Sequence, residues 1–165
     1  MGLTGNILRL ANSAYFGSGE RFVSVTDAVT RIGLREIERL VNTTLIIDTF
    51  SDIEQSLNYE DFWSHSLQVA EMSCLIASLN PEKTSLMPTE VYMIGLLHDV
   101  GKLLLDQYFP NEFSLSREYA KKHDCDDAAA ECRLLGIEHG KMGAYLMEYW
   151  ALSSNMVETI RYHHR

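Results

Sequence analysis

The stretch Gly95-Leu96-Leu97-His98-Asp99-Val100-Gly101-Lys102-Leu103 decides how this chain is read, because it sets ionisable residues inside an otherwise apolar, glycine-rich run. Its apolar residues recur at helical spacing, and Pro88-Thr89 supplies a helix start upstream. The stretch is therefore expected on one continuous helix from Pro88 to about Leu105. On that helix Asp99 has Gly95, Leu96 and Leu103 as neighbours. A carboxylate in such surroundings is desolvated, and leaving it unpaired is costly, so it requires a hydrogen-bond donor, a cation or a metal.

The rest of the chain follows the same helical periodicity, with no convincing run of strict alternation, so the fold class is all-α. An early helix runs through Ile7, Leu8, Leu10, Ala11 and Tyr15 and is broken by Gly17-Ser18-Gly19. Ser24, with Asp27 three residues on, opens a second helix that stops at Gly33, and a third runs from about Leu34 to Phe50. Further helices are expected from about Tyr59 to Leu79, ended by Asn80-Pro81, and from Asn111 to Lys122. Asp126 to Leu135, Glu138 to Trp150, and Ser154 onward complete the set. No linker separates domains. The chain reads as a single domain with N-terminal helices in 1–50 and a helical core in 59–165.

At 165 residues the chain can bury a substantial core without disulfide or metal. Cys74, Cys125 and Cys132 are odd in number and show no CxxC pairing, so they read as buried or idle thiols. No apolar run is long enough for a membrane span and no signal peptide is present, which leads to the expectation of a soluble, cytoplasmic protein without a membrane partner. The net charge is −9. Residues 1–50 hold five Lys/Arg and five Asp/Glu, while the remainder holds nine against eighteen. That balance lacks the basic footprint of nucleic-acid binding and disfavours reading the two helices around Gly33 as a DNA-binding helix-turn-helix.

The chain has six histidines. Four share a helix face with apolar or glycine residues: His65 with Phe62, Val69 and Met72; His98 with Val91, Ile94, Gly95 and Gly101; His139 with Met142, Gly143 and Leu146; His163 with Met156 and Ile160. Each is expected to point toward a packed interior. His123, in a run of charged residues, is expected on the surface, and His164 fits either environment. Imidazole and carboxylate suit divalent ions such as Fe, Mn, Ni, Co or Zn, and Gly95, Gly101 and Gly143 would let helices approach closely. The residues alone leave two ways of neutralising Asp99: one or two such ions, or hydrogen bonding among the histidines and backbone carbonyls.

The string around His98-Asp99 resembles the HD superfamily, and its surroundings resemble one branch, the HDOD (HD-related output) domains. Ile7-Leu8-Arg9-Leu10-Ala11-Asn12-Ser13-Ala14 is similar to that family's early helix, and Phe62-Trp63-Ser64-His65-Ser66 to its W-x-H-S helix start. Leu135-Gly136-Ile137-Glu138-His139-Gly140-Lys141-Met142-Gly143, Trp150 and His163-His164 are similar to its later signature. The resemblance implies an HD-like helical bundle with an N-terminal helical subdomain. It also implies a bacterial signalling module working with receiver, diguanylate cyclase or cyclic-diguanylate phosphodiesterase partners, whose own catalysis is generally unestablished. In the related HD-GYP phosphodiesterases, positions like His65, His98, Asp99, His139, His163 and His164 bind metal and a lysine like Lys102 contacts phosphate; this chain has no GYP motif. Judged against the family, it is expected to be truncated at both ends, leaving apolar surface for a partner, and Ser153-Ser154 replaces the usual leucine-proline.

Two functions follow. The first is a non-catalytic regulatory module acting through protein or ligand interactions, with self-association into a homo-oligomer as a further expectation. The second is a metal-dependent phosphohydrolase acting on a nucleotide or cyclic dinucleotide, in which Lys102 stabilises developing negative charge. Ser66 offers no nucleophile, since adjacency to His65 in sequence places it about 100° round the helix.

Overall fold

The computed structural model describes residues 4, 5, 8, 12, 21–50 and 57–164. Most of the early helix, and its break at Gly17-Ser18-Gly19, lie outside the described residues. Among the described residues every regular element is a helix, and none is long and apolar enough to cross a membrane. The chain forms two compact units, Met1–Asp52 and Ile53–Arg165.

In the first unit, α1 (Val25–Ile32) and α2 (Leu34–Thr49) meet at Gly33. Ser24 caps α1 by accepting a hydrogen bond from the Asp27 amide at 3.0 Å. Gly33 has φ 98°, which a residue with a side chain rarely adopts, so glycine is required where the two helices join. Phe22, Ala28 and Ile37 form a small core with Leu8, Val25, Val29 and Val41 against it. Asn12 pairs with the Phe22 backbone: its Oδ1 accepts from the Phe22 amide at 2.7 Å and its Nδ2 donates to the Phe22 carbonyl at 3.0 Å.

The second unit contains α3 (Tyr59–Leu79), α4 (Pro88–Leu97), α5 (Val100–Tyr108), α6 (Pro110–His123), α7 (Asp127–Leu135), α8 (His139–Tyr149) and α9 (Ser154–Tyr162). A single 3₁₀ turn, Pro81–Lys83, follows α3. Start signals recur along this unit. Asn58 accepts from the Glu60 and Asp61 amides, Asp126 from Ala129, and Ser153 from Met156, while proline opens α4 and α6. The packed pairs are α3 with α4, α5 with α8, α6 with α7, and α8 with α9. Leu96, Leu97, Val100, Leu103, Leu105, Met147 and Ile160 are fully buried between them.

The expected helix from Pro88 to Leu105 is in fact two. It breaks at His98 and Asp99, where Asp99 adopts φ −99° and ψ 3° and its carbonyl accepts a tight bond from the Lys102 amide at 2.8 Å. Tertiary packing imposes the break, since α4 lies on α3 while α5 lies on α8. Glycines permit both contacts. A Cβ on Gly95 would sit 2.5 Å from Ala70 Cα of α3, and one on Gly101 would overlap the backbone carbonyl oxygen of His139 in α8.

The second clash involves backbone rather than a flexible side chain, so it cannot be relieved locally. Gly101→Ala is expected to destabilise the fold by about 3 kcal/mol or more, against a few tenths for Ser85→Ala on the exposed loop before α4. Urea unfolding measures both; a Gly101→Ala midpoint equal to that of the wild type would refute the close contact.

Candidate metal centre

The break between α4 and α5 turns the Asp99 side chain into the second unit, where it is 5% exposed. Its two oxygens face different histidines. Oδ1 lies 3.1 Å from His139 Nε2 and 3.5 Å from His163 Nε2. Oδ2 lies 3.4 Å from His98 Nε2 and 3.9 Å from His65 Nε2, and accepts from Lys102 Nζ at 3.0 Å. His65 and His98 bring their Nε2 atoms within 3.3 Å, and His139 and His164 bring theirs within 2.7 Å.

The other nitrogen of three of these rings is committed. His98 Nδ1 is 2.8 Å from the Gly95 carbonyl, His163 Nδ1 is 2.7 Å from the Ile160 carbonyl, and His139 Nδ1 is 2.6 Å from Glu131 Oε2. Carbonyl and carboxylate oxygens only accept, so each Nδ1 carries the hydrogen and each neutral ring presents a lone pair at Nε2. Those lone pairs face one another and the Asp99 oxygens. The centre therefore holds acceptors with too few donors, and Asp99 Oδ1 and His163 Nε2 are buried without a hydrogen-bond partner.

Protons or cations must supply the missing positive charge. Burial works against a charged His139, but the Asp99 and Glu131 carboxylates beside its ring outweigh it and raise its pKa. Burial lowers the pKa of His98, and burial together with the neighbouring His163 and His139 lowers that of His164. Burial also opposes the charge on Asp99, yet His139, His163 and the Lys102 ammonium hold its carboxyl far below the usual range. The carboxylate is thus fixed as an anion, and at least two of the imidazoles favour the neutral, ligand-competent form.

The donor set fits divalent transition ions. Asp99, His139, His163 and His164 offer ligand atoms all within 4.8 Å of one another, and so do His65, His98 and Asp99. Ligands bound at about 2.1 Å round a tetrahedral ion stand roughly 3.4 Å apart, close to the Asp99–histidine separations above. Asp99 belongs to both sets and can give one oxygen to each.

All six expected ligand residues are thereby brought together, but not all are buried as expected. His65 is exposed, with 58% of its side chain in water, and Met72 on the same face is 54% exposed. The reason is that the buried side of α3 is centred on Trp63, Ser66 and Ala70; of the residues expected on the His65 face only Phe62, at its edge, is buried. His164 is exposed as well, so the centre reaches solvent at both ends. His123 lies on the surface, stacked on Tyr119. Cys132, expected buried or idle, is exposed; burial of the thiol itself and the Glu138 carboxylate raise its pKa, away from the reactive thiolate.

Glu131 and Asp127 also contact the centre and were not expected there from the sequence. Glu131 is 1% exposed and its Oε2 accepts from both the backbone amide and Nδ1 of His139, at 2.7 and 2.6 Å, which locks the ring. Asp127, one turn earlier on α7, pairs with Lys102 at 3.3 Å. Lys102 is held between Asp99 and Asp127 with 17% of its side chain exposed; burial opposes its charge, and those two carboxylates more than compensate. The available signal was the i, i+4 spacing of two acids within the run Asp127-Ala128-Ala129-Ala130-Glu131.

Fold and site together define a helical domain of the HD type, organised round a shared carboxylate. The chain belongs to the HDOD domain family, which it matches over residues 1–165. It is similar in structure to an HDOD domain protein of unknown function from Geobacter sulfurreducens, with TM-score 0.87 and 34% identity over 98% of this chain and 53% of that one. A proposed phosphohydrolase from Shewanella amazonensis aligns with TM-score 0.80 and 27% identity, over 97% of this chain and 55% of that one. A proposed signal transduction protein from Marinobacter aquaeolei aligns with TM-score 0.82 and 28% identity, over 96% of this chain and 36% of that one. An uncharacterised protein of Treponema pallidum is 24% identical over 98% of this chain and 31% of its own length. The chain thus spans between just under a third and just over half of the length of these relatives.

Titration of the chelator-treated protein tests the charge assignment. His139 is expected to titrate above 6.5, and His98 and His164 below it. By linkage, His139 stabilises the metal-free fold below 6.5 and loses that contribution as pH rises through its raised folded value. For His98 the contribution is present above 6.5 and is lost as pH falls through its lowered folded value. Glu131→Gln should lower the His139 value and leave that of His98 in place, as followed by histidine ring NMR. Unchanged titration of His139 would remove Glu131 from the role given to it here.

Proposed function

We propose that this HDOD domain is a bacterial, cytoplasmic signal-transduction module, and that its histidine–aspartate centre holds one or two divalent ions such as Fe, Mn, Co, Ni or Zn as a structural and ligand-sensing group. The observation that carries the non-catalytic reading is Lys102. Its ammonium is spent on Asp99 and Asp127 inside the domain, so the cation expected to receive a phosphate is already neutralised. The observation that favours ions is the surplus of acceptors facing Asp99. The inner set would be His139, His163 and His164 with Asp99 Oδ1, and the outer set His65 and His98 with Oδ2.

Partners on this reading are the signalling domains with which HDOD modules work, namely receivers, diguanylate cyclases and cyclic-diguanylate phosphodiesterases. The relatives are longer than this chain, which leaves room for such domains in the whole protein.

A second reading, metal-dependent phosphohydrolysis, is favoured by the exposure of His65 and His164, which opens the centre to a substrate. An ion held there would supply Lewis-acid polarisation and lower the pKa of a water. The chain's own residues would orient it: Glu131 holds the His139 ring, and Gly95 and Ile160 hold His98 and His163 through their carbonyls.

Elemental analysis of protein purified without chelator, paired with a turnover assay on cyclic di-GMP, separates the readings. The expected result is between one and two equivalents of transition metal, most of it lost in His139→Ala and Asp99→Ala, with no turnover. Turnover that disappears in His98→Ala and Asp99→Ala would overturn the regulatory reading. Folded protein that takes up no metal from a buffered supply would overturn the metal centre.

A further inference from the structure

The two ligand sets at Asp99 differ in what they still lack. In the outer set, Asp99 Oδ2 already accepts from Lys102 Nζ at 3.0 Å. The His65 ring is exposed and its Nδ1 has no protein partner among the described residues, so it can carry its hydrogen at Nε2. From there it donates to the His98 Nε2 lone pair, 3.3 Å away. Water and the chain's own groups then satisfy every polar atom of that set.

The inner set has no such solution. Asp99 Oδ1 and His163 Nε2 are buried without a hydrogen-bond partner, 3.5 Å apart. A hydrogen on His164 Nε2 serves His139 Nε2, 2.7 Å away, and leaves both of those atoms bare. Two orphaned acceptors in a packed interior call for a cation between them.

Lys102 also makes the outer set a poor place for a second cation. An ion bound to Asp99 Oδ2 at about 2.1 Å would stand within about 5 Å of the ammonium, whichever lone pair it used. At that separation, in a partly buried site, like charges repel strongly. The ammonium is not free to step aside, because Asp127 Oδ2 holds it at 3.3 Å and only 17% of its side chain is exposed. An ion on Oδ1 satisfies the orphaned pair in return for its own desolvation, whereas the outer set offers an ion no orphaned atom.

We infer, resting on the metal-binding reading above, that Lys102 stands in for a second ion. The centre takes one divalent ion, among Asp99, His139, His163 and His164, and the Lys102 ammonium keeps His65, His98 and Oδ2 from taking another.

The test is equilibrium dialysis of the full, chelator-treated chain against buffered Co²⁺, with bound metal counted by elemental analysis and circular dichroism to confirm folding. Wild type is expected to bind one equivalent, lost in His163→Ala and kept in His65→Ala. Lys102→Met keeps most of the side chain and removes the charge. It is expected to bind a second equivalent at least about a hundredfold more tightly than wild type does. The double variant Lys102→Met with His65→Ala should return to one. Lys102→Gln, also uncharged, serves the same comparison if the methionine variant does not fold.

Two equivalents in wild type, loss of the wild-type equivalent in His65→Ala, or a folded, uncharged variant that stays at one would each overturn the role of Lys102 and leave the metal centre standing. No equivalent in folded wild type would overturn the metal-binding reading itself, and this inference with it.

Discussion

The buried carboxylate of Asp99 is the constraint on which the second unit depends. It is the N-cap of α5 and follows His98, the C-cap of α4, so it cannot be positioned without breaking what would otherwise be one helix. The N-terminal end of α5 carries partial positive charge, which favours an anion there. That contribution is small beside the demand of a desolvated carboxylate, and the histidines of α8, of the segment after α9, and of the α4–α5 junction are gathered to meet it. Gly101 and Gly95 follow from the same requirement. They let α8 and α3 approach until His139 and His65 come within reach of the two oxygens.

Ring orientation and helix termination are one interaction at two of the histidines. His98 ends α4 and donates through Nδ1 to the Gly95 carbonyl; His163 ends α9 and donates to the Ile160 carbonyl. The last carbonyls of a helix lack partners within it, so each ring satisfies one of them while its own tautomer is set. Two helix C-termini, with their partial negative charge, converge on the centre. Their fields favour positive charge where the Nε2 lone pairs meet, in the same sense as Asp99 does.

Much of this was legible in the sequence, and the misses have a common cause. Periodicity tells which residues share a face but not which face packs. For His139 and His163 the shared face is the buried one. For His65 the face shared with Met72 is exposed, because the helix buries the side carrying Trp63, Ser66 and Ala70, and Ala70 meets Gly95 of α4. The break at His98-Asp99 carries no local marker, since no proline lies there and the flanking Leu96-Leu97 and Leu103-Leu104 continue the apolar pattern; it is imposed by the separate partners of α4 and α5. Glu131 was missed because an acid on a short helix ordinarily reads as a solvated residue, and only the approach of α8 buries it.

Lys102 bears most directly on what the centre does. An ammonium beside bound ions helps catalysis when it is free to meet charge arriving with a substrate. Here Asp99 Oδ2 and Asp127 Oδ2 hold it at 3.0 and 3.3 Å, and its side chain is 17% exposed. Presenting it to a phosphate would mean giving up contacts with two carboxylates, one of them buried. The buried carboxylate would then lose its nearest full positive charge unless a cation took its place. The pairing thus ties the position of the ammonium to the charge carried at Asp99 and Asp127. Both carboxylates lie within the same packed unit as the histidines, so a change in the charge around Asp99 reaches α5 and α7 through the same lysine.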